Sequence, residues 1–324
     1  MTRHFFIVGA PKAGTTWLAG VLASHRQVHL SPIKEPHFFA PPVAGELNSG
    51  AVTDKNVWKV LARCDRAHNG WIRDSGNYDR LLAPPFGKTI AGEATAAYLH
   101  APMAAKNISR RFPEAHIIII LREPVSRALS HISMDRVSGL ARRSSPDILH
   151  TELEMALRHG YAQTRYLSRS LYADALARYM ENFTRSRLLM LRFDDIRSSP
   201  DTVLARVAEF LEVSPDGFER TLERRNEAME ARWQTLNELL IDSGIKNIVR
   251  RATPQRLIKM GKQLFYRKPR DRALHPKLVK GLRGYFEHDI GRTEAISELD
   301  LSAWRAEQQD EADDHDADPI PGVG

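Results

Sequence analysis

Three groups of residues in this chain have types and spacings suited to chemistry on an anion. The first is Gly9-Ala-Pro-Lys-Ala-Gly-Thr-Thr16. It follows the apolar run Phe5–Val8, which reads as a buried strand. It precedes Trp17, Leu18, Val21 and Leu22, which share one face at helical spacing. Strand, glycine-bearing loop and helix bring backbone N–H groups and a helix N-terminus onto one anion. The second is Glu35, in Ser31-Pro-Ile-Lys-Glu-Pro-His-Phe-Phe39. A charged pair between two prolines suits neither a helix nor a central strand, and Phe38 and Phe39 would anchor such a loop in the core. Near the carboxyl ends of an open α/β sheet, this carboxylate could take a proton from an attacking hydroxyl. Read locally, it fits a surface turn better. The third pairs Arg122, at the end of His116–Leu121, with Ser130 on the following helix. A fork of donors and a hydroxyl together suit a phosphate monoester.

The spacing separates kinds of phosphate loop. Gly9-x-x-x-x-Gly14 matches the start of a nucleotide-triphosphate loop, but Thr15 stands where a lysine is required, and Lys12 lies inside the loop. A kinase also wants an acid ending a neighbouring strand to hold Mg²⁺, and here that place belongs to Arg122. Magnesium-dependent phosphoryl transfer is therefore disfavoured, and a P-loop small-molecule kinase is the alternative reading.

The elements that must position these residues follow from pattern. After a first helix over Gly14–Ser24, Val28–Leu30 reads as a second strand, and Lys55–Ala67 as a helix. Lys88–Leu99 is a strand entering a small-residue loop, and Met103–Arg111 is a helix broken by Pro113. His116-Ile-Ile-Ile-Ile-Leu121 is apolar enough for burial on both faces. A basic loop is expected over Ser138–Pro146, with helices from Thr151 onward and a strand over Arg187–Phe193. Thr202–Leu211 and Glu219–Leu240 read as helices, the second highly charged. Lys246–Arg272 is strongly basic.

Composition narrows the classes. The 324 residues carry 47 basic and 40 acidic side chains, a net charge of +7 that suits anionic ligands. Neither zinc-finger spacing nor an RNA-recognition aromatic motif is present, so no nucleic-acid partner is expected. Cys64 is the single cysteine, which excludes an intramolecular disulfide and a cysteine-based zinc site. No metal site is expected. No apolar run approaches a bilayer span, and the chain enters its first strand without a charged-then-apolar leader. On these grounds a soluble, cytoplasmic protein is expected.

Pro11-Lys-Ala-Gly-Thr-Thr-Trp-Leu18 resembles the 5′-phosphosulfate loop of sulfotransferases that use 3′-phosphoadenosine 5′-phosphosulfate (PAPS). Arg122-Glu-Pro-Val-Ser-Arg-Ala-Leu-Ser130 resembles the same family's 3′-phosphate motif. Lys34-Glu-Pro-His-Phe-Phe39 is similar to the segment of heparan-sulfate sulfotransferases that carries the catalytic base. Golgi enzymes with a similar core carry a membrane anchor. The resemblance spans Phe5 to Trp304 and implies a P-loop-like parallel β-sheet with helices on both faces. That α/β domain would cover residues 1–305, followed by an acidic, disordered tail over 306–324.

Carried over residue by residue, the backbone of Ala13, Gly14, Thr15 and Thr16 holds the 5′-phosphosulfate, and Arg122 and Ser130 hold the 3′-phosphate. Glu35 is the base, with Lys34 and His37 lining the acceptor side and His37 as the fallback base. Lys12 neutralises charge on the oxygen bridging to the leaving phosphate. Tyr172 is a candidate for the nucleotide side or a core aromatic. Arg127 assists the anion or pairs with Glu123. Glu93 is a substrate contact or a structural hydrogen-bonding group, and Asp194-Asp195 resembles a structural acidic strand end. The basic 246–272 segment would close over the nucleotide. Ala94 stands where the heparan-sulfate enzymes carry lysine, and Ala96 where proline is usual.

The expected reaction is sulfuryl transfer from PAPS to a hydroxyl of a carbohydrate or small metabolite, leaving PAP and requiring no metal. A non-catalytic polyanion-binding protein is a further alternative, distinguished by salt-sensitive binding that survives loss of Lys12.

Overall fold

The computed structural model describes residues 2–42, 51–218, 230–231, 266–267 and 274–305. In chain order the strands are β1 (Arg3–Gly9), β2 (Val28–Leu30), β3 (Ile33–Lys34), β4 (Val52–Thr53), β5 (Ala67–His68), β6 (Gly70–Trp71), β7 (Ile90–Ala94), β8 (His116–Leu121) and β9 (Leu188–Arg192). An antiparallel pair follows, β10 (Glu230–Ala231) and β11 (Tyr266–Arg267). The helices are α1 (Thr15–Ser24), α2 (Val57–Leu61), α3 (Ser75–Leu82), α4 (Ala104–Arg111), α5 (Pro124–Ser138), α6 (Ser145–His159), α7 (Ala173–Asn182), α8 (Phe193–Ser198), α9 (Pro200–Leu211), α10 (Pro276–Ser297) and α11 (Ser302–Arg305).

The central sheet is parallel throughout, in the order β2-β7-β1-β8-β9. Every residue of β8 is buried, as is every residue of β7. Strands buried on both faces need helices on both faces, which the parallel crossovers supply. Each isoleucine of β8 contributes about 1.5–3 kcal/mol by leaving water, more than β-propensity differences of about 1 kcal/mol could. Burial is therefore what holds this strand at the centre. From β1 the chain crosses to β2 on one side, and from β7 it crosses to β8 on the other. The connections thus diverge around β1, and ligand crevices form outside the carboxyl ends at such a switch point.

Three differences from the sequence reading have local causes. The helix expected over Lys55–Ala67 is only Val57–Leu61, because Ala67–His68 leaves it to pair with Ile33–Lys34. Helix α6 starts at Ser145 rather than near Thr151, since Ser144 caps it by accepting from the Asp147 N–H and a proline follows. Glu230–Ala231 is a strand, not part of the charged helix expected over Glu219–Leu240, because it pairs with Tyr266–Arg267. The rest of that helix, the remainder of the basic 246–272 segment and the acidic 306–324 tail lie outside the described residues.

Candidate active site

The loop after β1 leads into α1 through Gly14, whose φ of 93° is a left-handed conformation that favours glycine. A side chain caps the N-terminus of α3 (Asp74), α5 (Glu123), α6 (Ser144) and α10 (His275), but none caps that of α1, as none caps α2, α4, α7, α8 or α9. The orphan N–H groups and the helix dipole of α1 therefore face the crevice without a protein anion. Thr15 is buried and Thr16 half-buried in that first turn. The Ala13 N–H differs from its expected role, because it donates to the Ala10 carbonyl at 3.1 Å and so closes the loop on itself.

Lys12 and Arg122 meet at this loop. The Arg122 guanidinium donates to the Lys12 carbonyl at 3.0 Å and lies 4.6 Å from the Phe193 ring centre. The Lys12 ammonium approaches the Met134 sulfur at 3.6 Å. Met134 is four residues after Ser130 on α5, so Ser130 belongs to the helix stripe that faces the loop. Burial and the nearby charges of Arg122, Arg127 and Lys34 lower the Lys12 pKa to about 8, against an opposing pull from Asp135. Among the described residues, neither Lys12 nor Arg122 forms an ion pair with a carboxylate. Positive charge without a direct carboxylate partner, beside an uncapped helix start, is the electrostatic form of an anion site.

Two residues near this charge act through the protein rather than facing the crevice. Tyr172 is fully buried, and its hydroxyl donates to the Arg122 carbonyl at 2.7 Å. Arg127 neither faces the crevice nor pairs with Glu123. Its fully buried guanidinium donates to Ser170 Oγ and the Tyr166 carbonyl, each at 2.6 Å, and contacts His131. Glu123 instead accepts the Val125 and Ser126 N–H groups at 2.8 and 2.6 Å. A carboxylate at a helix start gains more from those orphan donors than from an arginine locked elsewhere.

Glu35 stands at the carboxyl end of β7, placed by backbone. Its N–H donates to the Ala94 carbonyl at 2.9 Å, and its carbonyl accepts from the Gly70 N–H at 2.8 Å. Its Oε1 is 2.5 Å from the Lys34 ammonium, and its Oε2 accepts the Ala96 N–H at 2.9 Å. Lys34, expected to line the acceptor side, thus forms an ion pair with Glu35. Burial raises the Glu35 pKa, but the Lys34 charge and hydrogen bond, with His37 and His68, leave it below its ordinary value. The carboxylate is thus ionised at neutral pH.

His37, expected on the acceptor side, is only 3% exposed. The chain turns inward there to seat Phe38 and Phe39, as their apolar character demanded. Phe38 stacks on Tyr78 at 3.9 Å, and the Phe39 N–H donates to the Tyr98 hydroxyl at 3.1 Å.

Beneath this loop lies Glu93, fully buried, accepting from the hydroxyls of Tyr78 at 2.7 Å, Tyr98 at 3.0 Å and Thr95 at 2.5 Å. Its donors are all neutral, so burial dominates and raises its pKa to about 7. Of its two sequence readings, the structural one applies. Asp195 is likewise structural, holding Arg192 at 2.7 Å. No group of His, Cys, Asp and Glu among the described residues could hold a metal ion.

Sequence reasoning missed His68. It lies opposite Lys34 in the β3–β5 pair, in a stretch whose pattern announced no site. Its only signal was a histidine in a short segment flanked by turns.

The arrangement can bind an anion at β1–α1 and β8–α5 and present a carboxylate across from it. Known proteins share this architecture. A solved sulfotransferase from Alicyclobacillus acidocaldarius superposes with a TM-score of 0.62 at 26% identity, covering 94% of this chain and all of that one. Carbohydrate sulfotransferase 15 of Mus musculus is 27% identical over 254 residues, covering 65% of this chain and 44% of the relative. Heparan sulfate glucosamine 3-O-sulfotransferase 3B1 of Mus musculus is 28% identical over 210 residues, covering 63% and 45%. The chain thus spans less than half the length of these curated relatives. The model of the sulfotransferase family matches residues 4–217, from β1 through the 3₁₀ turn after α9, and the chain belongs to that family.

Proposed function

We propose that this protein transfers a sulfuryl group from PAPS to a hydroxyl of a carbohydrate or small-metabolite acceptor. The observation that carries the reading is the positive charge of Lys12 and Arg122, without a carboxylate ion-pair partner among the described residues, beside the uncapped start of α1. Bound PAPS would supply a sulfuryl group already activated by its bond to phosphate. The N–H groups of Gly14, Thr15 and Thr16, with the Ala13 segment closing the loop, would cradle the 5′-phosphosulfate. Arg122 and Ser130 would take the 3′-phosphate, with Tyr172 holding Arg122 in place through its carbonyl.

Lys12, from within the loop, would neutralise the charge that grows on the oxygen bridging sulfur to the leaving phosphate. Glu35, ionised by its partners, receives the acceptor proton as the acceptor oxygen bonds to sulfur and the bridging bond breaks. The electron pair of that bond stays on the phosphate oxygen. The relatives named for carbohydrate and heparan-sulfate substrates support a carbohydrate acceptor.

The test incubates the protein with labelled PAPS and separate pools of oligosaccharides and small hydroxylated metabolites. A sulfate mass increment is expected in at least one pool, undiminished by EDTA, and turnover is expected to fall about 10²-fold or more in Lys12→Ala. Glu35→Ala should also slow turnover with the fold intact by circular dichroism. Polyanion binding that survives Lys12→Ala, with no transfer to any pool, would favour the non-catalytic alternative instead.

A further inference from the structure

His68 stands outside the donor motifs, yet the backbone ties it to Glu35. Ala67 N–H donates to the Pro32 carbonyl, Asn69 N–H to the Lys34 carbonyl and Gly70 N–H to the Glu35 carbonyl, each at 2.8 Å. The register of this parallel pair sets His68 opposite Lys34. Paired residues in a ladder project to the same face from strands about 5 Å apart. The imidazole therefore flanks the Lys34 side chain, whose ammonium holds Glu35 at 2.5 Å.

Access distinguishes the two histidines of this corner. His37 is buried, whereas His68 is exposed. The side chains of Lys34 and Glu35 keep 14% and 13% of their exposure, so solvent reaches the ion pair, and the exposed His68 lies beside Lys34 across the β3–β5 ladder. Partial desolvation of the ring by the surrounding chain and the Lys34 charge lower the His68 pKa below 6.5, while Glu35 pulls it upward and His37 reinforces the lowering. The ring is accordingly neutral at neutral pH. A neutral imidazole offers one donor and one acceptor, while the ammonium beside it can only donate and the carboxylate only accept. A hydroxyl, itself both donor and acceptor, matches such a ring.

We propose that His68 contacts the acceptor, hydrogen-bonding one of its hydroxyls and so orienting the molecule toward Glu35. This rests on the reading of Glu35 as the acceptor-side carboxylate. His68 is a specificity residue contributed by the connection between β2 and β7. It favours neutral polyhydroxylated acceptors at this position, because the adjacent Lys34 charge is spent on Glu35.

The experiment uses labelled PAPS with a pool of neutral and uronic-acid-containing oligosaccharides, and calorimetry with PAP. His68→Ala should raise the acceptor KM about 3–10-fold, the loss of one hydrogen bond, while PAP affinity stays within about twofold. His68→Gln, which retains a donor and an acceptor, should recover most of that loss, a rescue that a purely structural role would not produce. Unchanged acceptor KM in His68→Ala, equal losses in both variants, or a parallel fall in PAP affinity would each overturn the proposal. Wild-type protein that neither binds PAP nor transfers sulfate would overturn the donor reading beneath it.

Discussion

Lys12 holds its charge against its surroundings, and that opposition is measurable. Its pKa of about 8 lies below the ordinary 10.5, so the unfolded chain binds the proton more tightly between those values. Wild-type stability should therefore rise with pH from about 8 to 10.5, the destabilisation being full below about 8. Lys12→Met should raise the melting temperature at neutral pH while abolishing transfer, and the gain should shrink as pH rises from about 8 to 10.5. A lower melting temperature at neutral pH, measured by scanning calorimetry, would contradict this account. Glu93 shows the opposite sign. Its folded pKa of about 7 exceeds the unfolded 4.5, so its stabilisation is full below 4.5 and lost as pH rises through about 7. Glu93→Gln should flatten the decline of stability across that interval, read from denaturant midpoints at a series of pH values. A slope equal to wild type would show that Glu93 does not titrate there. The sequence marked Lys12 and Glu35 by spacing and resemblance. It left Glu93 between two roles, because only its enclosure by three hydroxyls decides between them.

At the scale of elements, the site depends on which helix starts are capped. Helix α5 begins with Glu123 accepting two N–H groups and Pro124 following it, so its first turn is satisfied internally and Ser130 projects from a stable helix. Glu123→Ala should cost about 1 kcal/mol of stability and weaken PAP binding, both visible in thermal melts with and without PAP. An unchanged melting temperature would remove the cap from the account. Helix α1 is the reverse case, with no side-chain cap, and its first turn is available to a ligand. The two starts read differently in sequence as well: glycine precedes α1, and glutamate with proline precedes and opens α5. What the sequence hid was the pairing of Ala67–His68 with Ile33–Lys34. Two-residue ladders leave no periodicity to detect.

At the scale of the molecule, the parallel sheet places the carboxyl ends of β1, β7 and β8 side by side. Lys12, Glu35 and Arg122 come from segments far apart in sequence and meet because β1 lies between the other two strands. That strand packing is tight at Gly92, where an added Cβ would lie 2.2 Å from the Phe5 carbonyl oxygen. Gly92→Ala must therefore push β7 from β1, with an expected loss of about 3 kcal/mol or more and a fall in PAP affinity, since the same displacement moves Glu35 and the loop after β1. Soluble protein of wild-type melting temperature would refute it. The described residues contain no helix long and apolar enough to cross a membrane.

The sequence by itself located the loop motifs that follow β1 and β8. Backbone loops and strand ends are local, and Gly9-x-x-Lys12-x-Gly14 and Arg122 with Ser130 each lie within one strand–helix turn. Their chemistry is therefore written at short range. Only the tertiary structure decided what surrounds Glu35 and Arg127: that Lys34 closes on Glu35, that His37 turns inward, that Arg127 is locked by Ser170 and Tyr166, and that His68 pairs with Lys34. Each of these depends on a partner many residues away, or on which way an irregular loop turns. Spacing along the chain carries no record of either.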